Sequence, residues 1–244
     1  LLMNTLTDLP DLDHRHALFL DFDGTLAPLQ DDASTVKLPD GIAEELTRLK
    51  DALGGALIII SGRDVRDLSS RVPNTLWRAG THGLEICAPG ESPEDTRSAA
   101  PATLTALAET AIAGLDHVHA ETKGEVIAFH YRLNPEAAPT LQARLEAGLA
   151  NIDGYKLQAG KMIFEAKPAG ANKGKAVEKL LVLAALEDRM PVMVGDDTTD
   201  EDAFDVVNRL GGVSIKVGKG ETRATYRLEG PEAVADWIKR QGRK

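Results

Sequence analysis

Residues 17–26 read Ala-Leu-Phe-Leu-Asp-Phe-Asp-Gly-Thr-Leu, and the fold is decided there. The run 17–22 is short and apolar with no polar partner face, as expected of a strand covered on both sides of a sheet. Asp21 and Asp23 lie where that strand ends, at the edge where open α/β sheets place their ligands. Two carboxylates at a buried strand end are costly unless something compensates them, and a divalent cation is the natural partner. Gly24 lets the chain turn sharply straight after them. One carboxylate is suited to attack phosphorus and form an aspartyl-phosphate, the other to serve as acid and base. An ordinary Asp-rich turn after a strand is the alternative.

A second buried run, Ala-Leu-Ile-Ile-Ile at 56–60, follows a helix predicted over 39–53, where Ile42, Leu46, Leu49 and Leu53 recur at helical spacing. Asp40 is its expected N-cap and Gly54-Gly55 its stop. Another helix is predicted over 64–72. Strand, helix, strand, helix at this pace is the signature of a parallel sheet with helices on its faces. The pattern returns late, as helix 173–187, strand 191–194, helix 200–209, strand 214–217 and a last helix 231–240. The middle is different. After linker-like composition at 90–102 come a helix (102–115), alternating strands (117–122 and 126–133), a helix (135–149) and a hairpin (155–167). Such alternation suits an antiparallel sheet with helices on one face. The expected fold is therefore α/β, a Rossmann-like parallel-sheet core of 1–90 and 169–244 with a small α+β domain, 91–168, inserted between its halves.

Three further segments carry chemistry. Ser61-Gly62-Arg63-Asp64 follows the second buried strand, and a hydroxyl beside free backbone N–H groups at a helix start makes an anion site. Ser61 with Asp64 also reads as a capping box that needs no ligand. Asn172-Lys173-Gly174 opens the helix that returns to the core, where a lysine can hold a carboxylate and a phosphate oxygen together, or can simply be solvated. Gly195-Asp196-Asp197-Thr198-Thr199-Asp200-Glu201-Asp202 again follows a buried strand. Its last acids can complement a helix dipole, yet so many acids in so few positions repel one another unless a cation joins them. Oxygen ligands with no His or Cys cluster favour magnesium over zinc.

In this order and spacing, the four segments resemble the motifs of the haloacid dehalogenase superfamily of phosphotransferases. The resemblance implies that Asp21 is the nucleophile, Asp23 the general acid/base and Lys173 the charge-balancing lysine. It implies that Ser61, Gly62 and Lys173 bind phosphate, and that Asp21, Asp23, Asp196 and Asp200 form the Mg²⁺ site. An insert between the second and third motifs acts in that superfamily as a cap over the active site. Here His82-Gly83-Leu84-Glu85, Glu121-x-Lys123, His130-Tyr131-Arg132 and Lys161-x-x-x-Glu165 resemble the trehalose-6-phosphate phosphatases, as does the string GDDTTDEDAF. That likeness implies a Mg²⁺-dependent hydrolysis of trehalose 6-phosphate through an aspartyl-phosphate. The sugar contacts it implies are His82, Glu85, Glu121, Lys123, Arg132, Lys161, Glu165 and Asn172, and the functional partner is a trehalose-6-phosphate synthase. On a strand, residues two apart share a face, so Glu121 projects with Lys123, and Lys161 with Glu165. Cross-strand ion pairing on a solvated sheet face is the competing reading. Lys167 stands where the family pattern usually has Arg, which leaves its role open. Two Trp, three Tyr and five Phe are too few for an extended stacking platform, so hydrogen bonding must carry sugar recognition.

Composition narrows the alternatives. Of 244 residues 43% are apolar and 27% charged, which suits a soluble globular chain rather than a disordered one. A net charge of −10 argues against nonspecific binding to nucleic acid or an anionic membrane. The single cysteine, Cys87, excludes a disulfide scaffold. No apolar run is long enough to span a bilayer, and residues 1–10 do not read as a signal peptide, so a cytoplasmic enzyme is expected. A sugar phosphomutase of the same superfamily and a noncatalytic sugar-phosphate sensor are the rival classes. The first would retain phosphate on a bisphosphate intermediate, and the second typically loses the nucleophile.

Overall fold

Ala17, Leu18, Phe19 and Leu20 are all fully buried, so both faces of the first strand are covered. In the computed structural model, which describes residues 9–95, 98–160 and 162–241, this strand is β1 (His16–Asp21). It is followed by α1 (Ile42–Ala52), β2 (Leu57–Ile60), α2 (Val65–Ser69), β3 (Trp77–Gly80) and β4 (Glu85–Cys87). The middle of the chain forms α3 (Ala102–Ile112), β5 (His119–Lys123), β6 (Val126–His130), α4 (Ala138–Leu149), β7 (Tyr155–Gly160) and β8 (Ile163–Pro168). The last part forms α5 (Lys173–Leu181), β9 (Met190–Gly195), α6 (Thr198–Arg209), β10 (Val213–Val217), β11 (Tyr226–Leu228) and α7 (Pro231–Gln241). The chain divides into two compact units, Leu1–Pro93 with Asn172–Lys244, and Glu94–Ala171.

The first unit is a seven-stranded sheet in the order β11-β10-β9-β1-β2-β3-β4, parallel except for β4. Alternation along β1 sorts its side chains between two cores. Leu18 and Leu20 pack with Leu46 and Leu49 of α1 and with Val234, Trp237 and Ile238 of α7. Ala17 and Phe19 pack on the other face with Val177 and Leu180 of α5 and Phe204 and Val207 of α6. This is the three-layer α/β architecture expected from the sequence. Chain order reverses beside β1, which has β2 on one side and β9 on the other, and such a switch point opens a crevice at the carboxyl ends of the strands.

The second unit is a four-stranded antiparallel sheet, β5-β6-β8-β7. Ile127, Phe129, Phe164 and Ala166 face Leu104, Leu141, Leu145 and Leu149 of its two helices.

Several local expectations fail for identifiable reasons. Gly41, with φ of 81°, caps α1 without any side-chain hydrogen bond, so Asp40 is not the N-cap. The helix expected over 173–187 stops at Leu181, and Leu186 reaches the core from the turns that follow. β3, β4 and β11 were not foreseen: each has only three or four residues and too little periodicity to register.

Candidate functional site

The sheet brings the motif residues to one edge. Asp21 pairs with Ile60 across β1 and β2, so Ser61 follows directly beside it. On the other side Leu20 pairs with Val194, which brings Gly195 level with Asp21. Lys173, the first residue of α5, donates from Nζ to Oδ1 of Asp21 at 2.6 Å and to Oδ1 of Asp200 at 2.6 Å. All three are buried. Asp200 serves twice, because its Oδ2 accepts from the N–H of Asp197 at 2.9 Å and closes a capping box at the start of α6. Asp197 is thus a helix cap, while Asp200 belongs to the acidic cluster.

Asp196 completes that cluster. Carboxylate oxygens of Asp21, Asp196 and Asp200 lie within 4.8 Å of one another. Room for Asp196 comes from Gly24, whose φ is 82°; a Cβ there would fall 2.3 Å from Oδ2 of Asp196. Only glycine both turns the chain and admits that carboxylate. Thr25 Oγ1 donates to Oδ1 of Asp196 at 3.4 Å.

Three carboxylates face one ammonium, so the cluster carries surplus negative charge. Burial raises the pKa of Asp21 well above its ordinary value; Lys173 opposes this, and Asp200 and Asp196 add repulsion. Burial and then the Asp200 charge push Asp196 up to about 6. For Lys173 burial works against the charge, but Asp200 and Asp21 outweigh it and hold the ammonium pKa above its ordinary range. An oxygen-only donor set, two of its three members buried, with uncompensated negative charge fits a hard divalent cation, and these three residues can hold one.

The Asp23 carboxylate, expected among the metal ligands, is engaged elsewhere. Arg63 grips it through two parallel bonds, Nε to Oδ2 at 2.7 Å and Nη2 to Oδ1 at 2.6 Å. Ser61 is buried and its Oγ accepts from the N–H of Arg63 at 3.1 Å. Asp64 itself caps α2 by accepting from the N–H of Arg66 at 2.8 Å, so the alternative Ser61–Asp64 capping box does not form. Gly62 lies against His82, where a Cβ would sit 2.8 Å from the imidazole Cε1. His82 is buried, and its N–H donates to the Ser61 carbonyl at 2.9 Å. Glu85 is held by Arg66, from Nη2 to Oε1 at 2.6 Å and from Nη1 to Oε2 at 3.0 Å. Asn172 accepts from the N–H of Lys175 at 3.0 Å and donates to Asp202, tying α5 to α6.

Two residues near the cluster escaped the sequence reading. Arg63 stood inside a quoted motif without a role. Lys216 on β10 is buried and donates to the main-chain carbonyl of Asp196. Its only signal was a charge between Ile215 and Val217 in a strand of buried residues.

In the second unit, one sheet face collects polar residues. Glu121 pairs with Ala128, Ala128 with Glu165 and Glu165 with Gln158, which places two carboxylates in one row across four strands. Lys123 Nζ lies 3.4 Å from Oε2 of Glu121, and His130 Nε2 meets the same oxygen at 2.9 Å. The His130 hydrogen bond, aided by Lys123 and opposed by burial, lowers the pKa of Glu121 to about 2. His119 stacks on His130 with ring centroids 4.7 Å apart. Tyr131 packs on Phe164, and Arg132 is exposed. Lys161 lies outside the described residues.

The fold is that of a haloacid dehalogenase-like hydrolase. A solved structure so described, from Bacteroides thetaiotaomicron, is similar with a TM-score of 0.66 at 17% identity, over 92% of this chain and 98% of that one. A nearer likeness, with TM-score 0.82, is to the C-terminal domain of Candida albicans trehalose-6-phosphate phosphatase, at 23% identity over 93% of each chain. In sequence, the chain is 36% identical to the trehalose-6-phosphate phosphatase of Escherichia coli (strain K12), over 96% of this chain and 89% of that protein. The family model for trehalose-phosphatase matches residues 19–232. The chain belongs to the trehalose-phosphatase family.

Proposed function

We propose that this chain hydrolyses trehalose 6-phosphate to trehalose and phosphate. The observation that carries the mechanism is the buried Lys173 ammonium shared by Asp21 and Asp200. Lys173 holds Oδ1 of Asp21 and orients that carboxylate for attack. Attack on phosphorus forms the Asp21 O–P bond and breaks the P–O bond to the sugar, with Asp23 giving a proton to the departing oxygen. Water then attacks the aspartyl-phosphate, Asp23 takes its proton, and Asp21 is regenerated. Ser61 and the Gly62 N–H hold phosphate oxygens. Mg²⁺, held by Asp21, Asp196 and Asp200, supplies charge neutralisation of the phosphate when bound.

The second unit selects the sugar. A disaccharide offers many hydroxyls, and a face bearing Glu121, Lys123, His130 and Glu165 offers charged donors and acceptors to match. The substrate is charged and does not cross membranes, which supports work in the cytoplasm beside a trehalose-6-phosphate synthase that supplies it. Among the described residues no helix is long and apolar enough to cross a membrane. The test is a panel of sugar phosphates assayed for phosphate release with Mg²⁺. Trehalose 6-phosphate should give the highest kcat/KM. A preference for sucrose 6-phosphate or a glycosyl-phosphoglycerate would keep the chemistry and replace the sugar, while phosphate kept on a bisphosphate would make the chain a mutase.

A further inference from the structure

Arg63 connects three parts of the first unit. Nε and Nη2 hold both oxygens of Asp23, Nη1 donates to Asp67 Oδ2 of α2 at 2.8 Å, and Nη2 also donates to the carbonyl of Ala33 at 2.8 Å. The guanidinium carbon stands 5.5 Å from the ring centroid of Phe22, the residue between the two motif acids. Its side chain is only 11% exposed. The guanidinium is therefore fixed from several directions before it meets Asp23, and a planar fork so fixed dictates the plane of the carboxylate it grips.

Asp23 needs such a constraint. It lies two residues beyond Asp21, beside a cluster that holds three carboxylates and one ammonium. Both of its carboxylate oxygens are held by Arg63. Arg63 thereby gives Asp23 one orientation beside the nucleophile's strand.

We propose that Arg63 is a positioning residue for Asp23, and that its contribution to turnover passes entirely through that carboxylate. The proposal rests on the reading of Asp23 as the acid and base. Proton transfer demands close geometry, and a misplacement of about 1 Å can cost roughly 100-fold in rate. Arg63→Ala should lower kcat for the sugar phosphate by about 10- to 100-fold, with KM changed by less than about threefold. Arg63→Lys should recover only part of the loss, because an ammonium cannot make the two parallel bonds. Added guanidinium ion should partly rescue Arg63→Ala and leave Arg63→Lys unmoved.

A double-mutant cycle with Asp23→Asn gives the decisive readout. If Arg63 acts through Asp23, the loss on Arg63→Ala shrinks to within about twofold once Asp23 is already Asn. The same fold-loss in both backgrounds, or a loss confined to KM, overturns the proposal and makes Arg63 a brace for α2. Full kcat in Asp23→Asn alone overturns the acid/base reading and the proposal with it. That failure is recognised without any change at position 63.

Discussion

Lys173 Nζ touches Oδ1 of Asp21 at 2.6 Å although 152 residues separate them. The whole insert lies between these two positions in sequence, so the ion pair forms only when both halves of the core have assembled. Lys173→Met keeps the side-chain length but leaves buried carboxylates without their counter-ion, and breaking a buried pair this way costs about 3–5 kcal/mol. Melting should fall by roughly 10 °C for a chain of this size. Adding Asp21→Asn should return part of that loss, which calorimetry on the two variants can read.

The acidic cluster makes stability depend on pH in a stated direction. The Asp196 carboxyl is raised from 3.8 to about 6, so the folded chain holds its proton more tightly than the unfolded chain. Its contribution is present below the unfolded value and is lost as pH rises through about 6. A bound cation reverses the penalty. Mg²⁺ at about a hundredfold above its Kd should raise Tm by roughly 5–10 °C at about pH 8, and by clearly less at about pH 5. An equal rise at both pH values would place the cation away from these acids.

Glu165 tests the role of the second unit. A charged hydrogen bond to a sugar hydroxyl is worth about 1.5–3 kcal/mol, or roughly 10- to 150-fold. Glu165→Ala should cut kcat/KM for trehalose 6-phosphate by that order and barely alter p-nitrophenyl phosphate, which has no sugar to lose. Equal losses on the two substrates would mean that Glu165 supports the fold.

The parallel core was legible because β1 and β2 are continuous apolar runs and because acids stand where β1 and β9 end. The site was legible to the same extent: Asp21, Asp196, Asp200 and Lys173 sit at strand ends or a helix start, where position itself carries information. Arg63 and Lys216 were not, because their partners are 40 and 20 residues away and pairing over such distances leaves no periodic trace. Glu85 and Asn172 illustrate the complementary problem. A polar side chain in a motif looks available in the sequence, yet Arg66 holds Glu85, while Lys175 and Asp202 hold Asn172. The Asp40 cap failed for a local reason, since Gly41 can adopt a positive φ that starts the helix one residue later.

In the proposed mechanism Asp21 carries the phosphoryl group during turnover. Acid-quenching the wild-type chain during steady-state hydrolysis of trehalose 6-phosphate with Mg²⁺, followed by peptide mass spectrometry, tests it directly. A phosphoryl adduct is expected on the peptide containing Asp21, and it should disappear once substrate is exhausted. In Asp21→Asn both the adduct and phosphate release should be absent, with melting no lower than wild type. Sustained phosphate release by purified Asp21→Asn, or an adduct on a different residue, would contradict it.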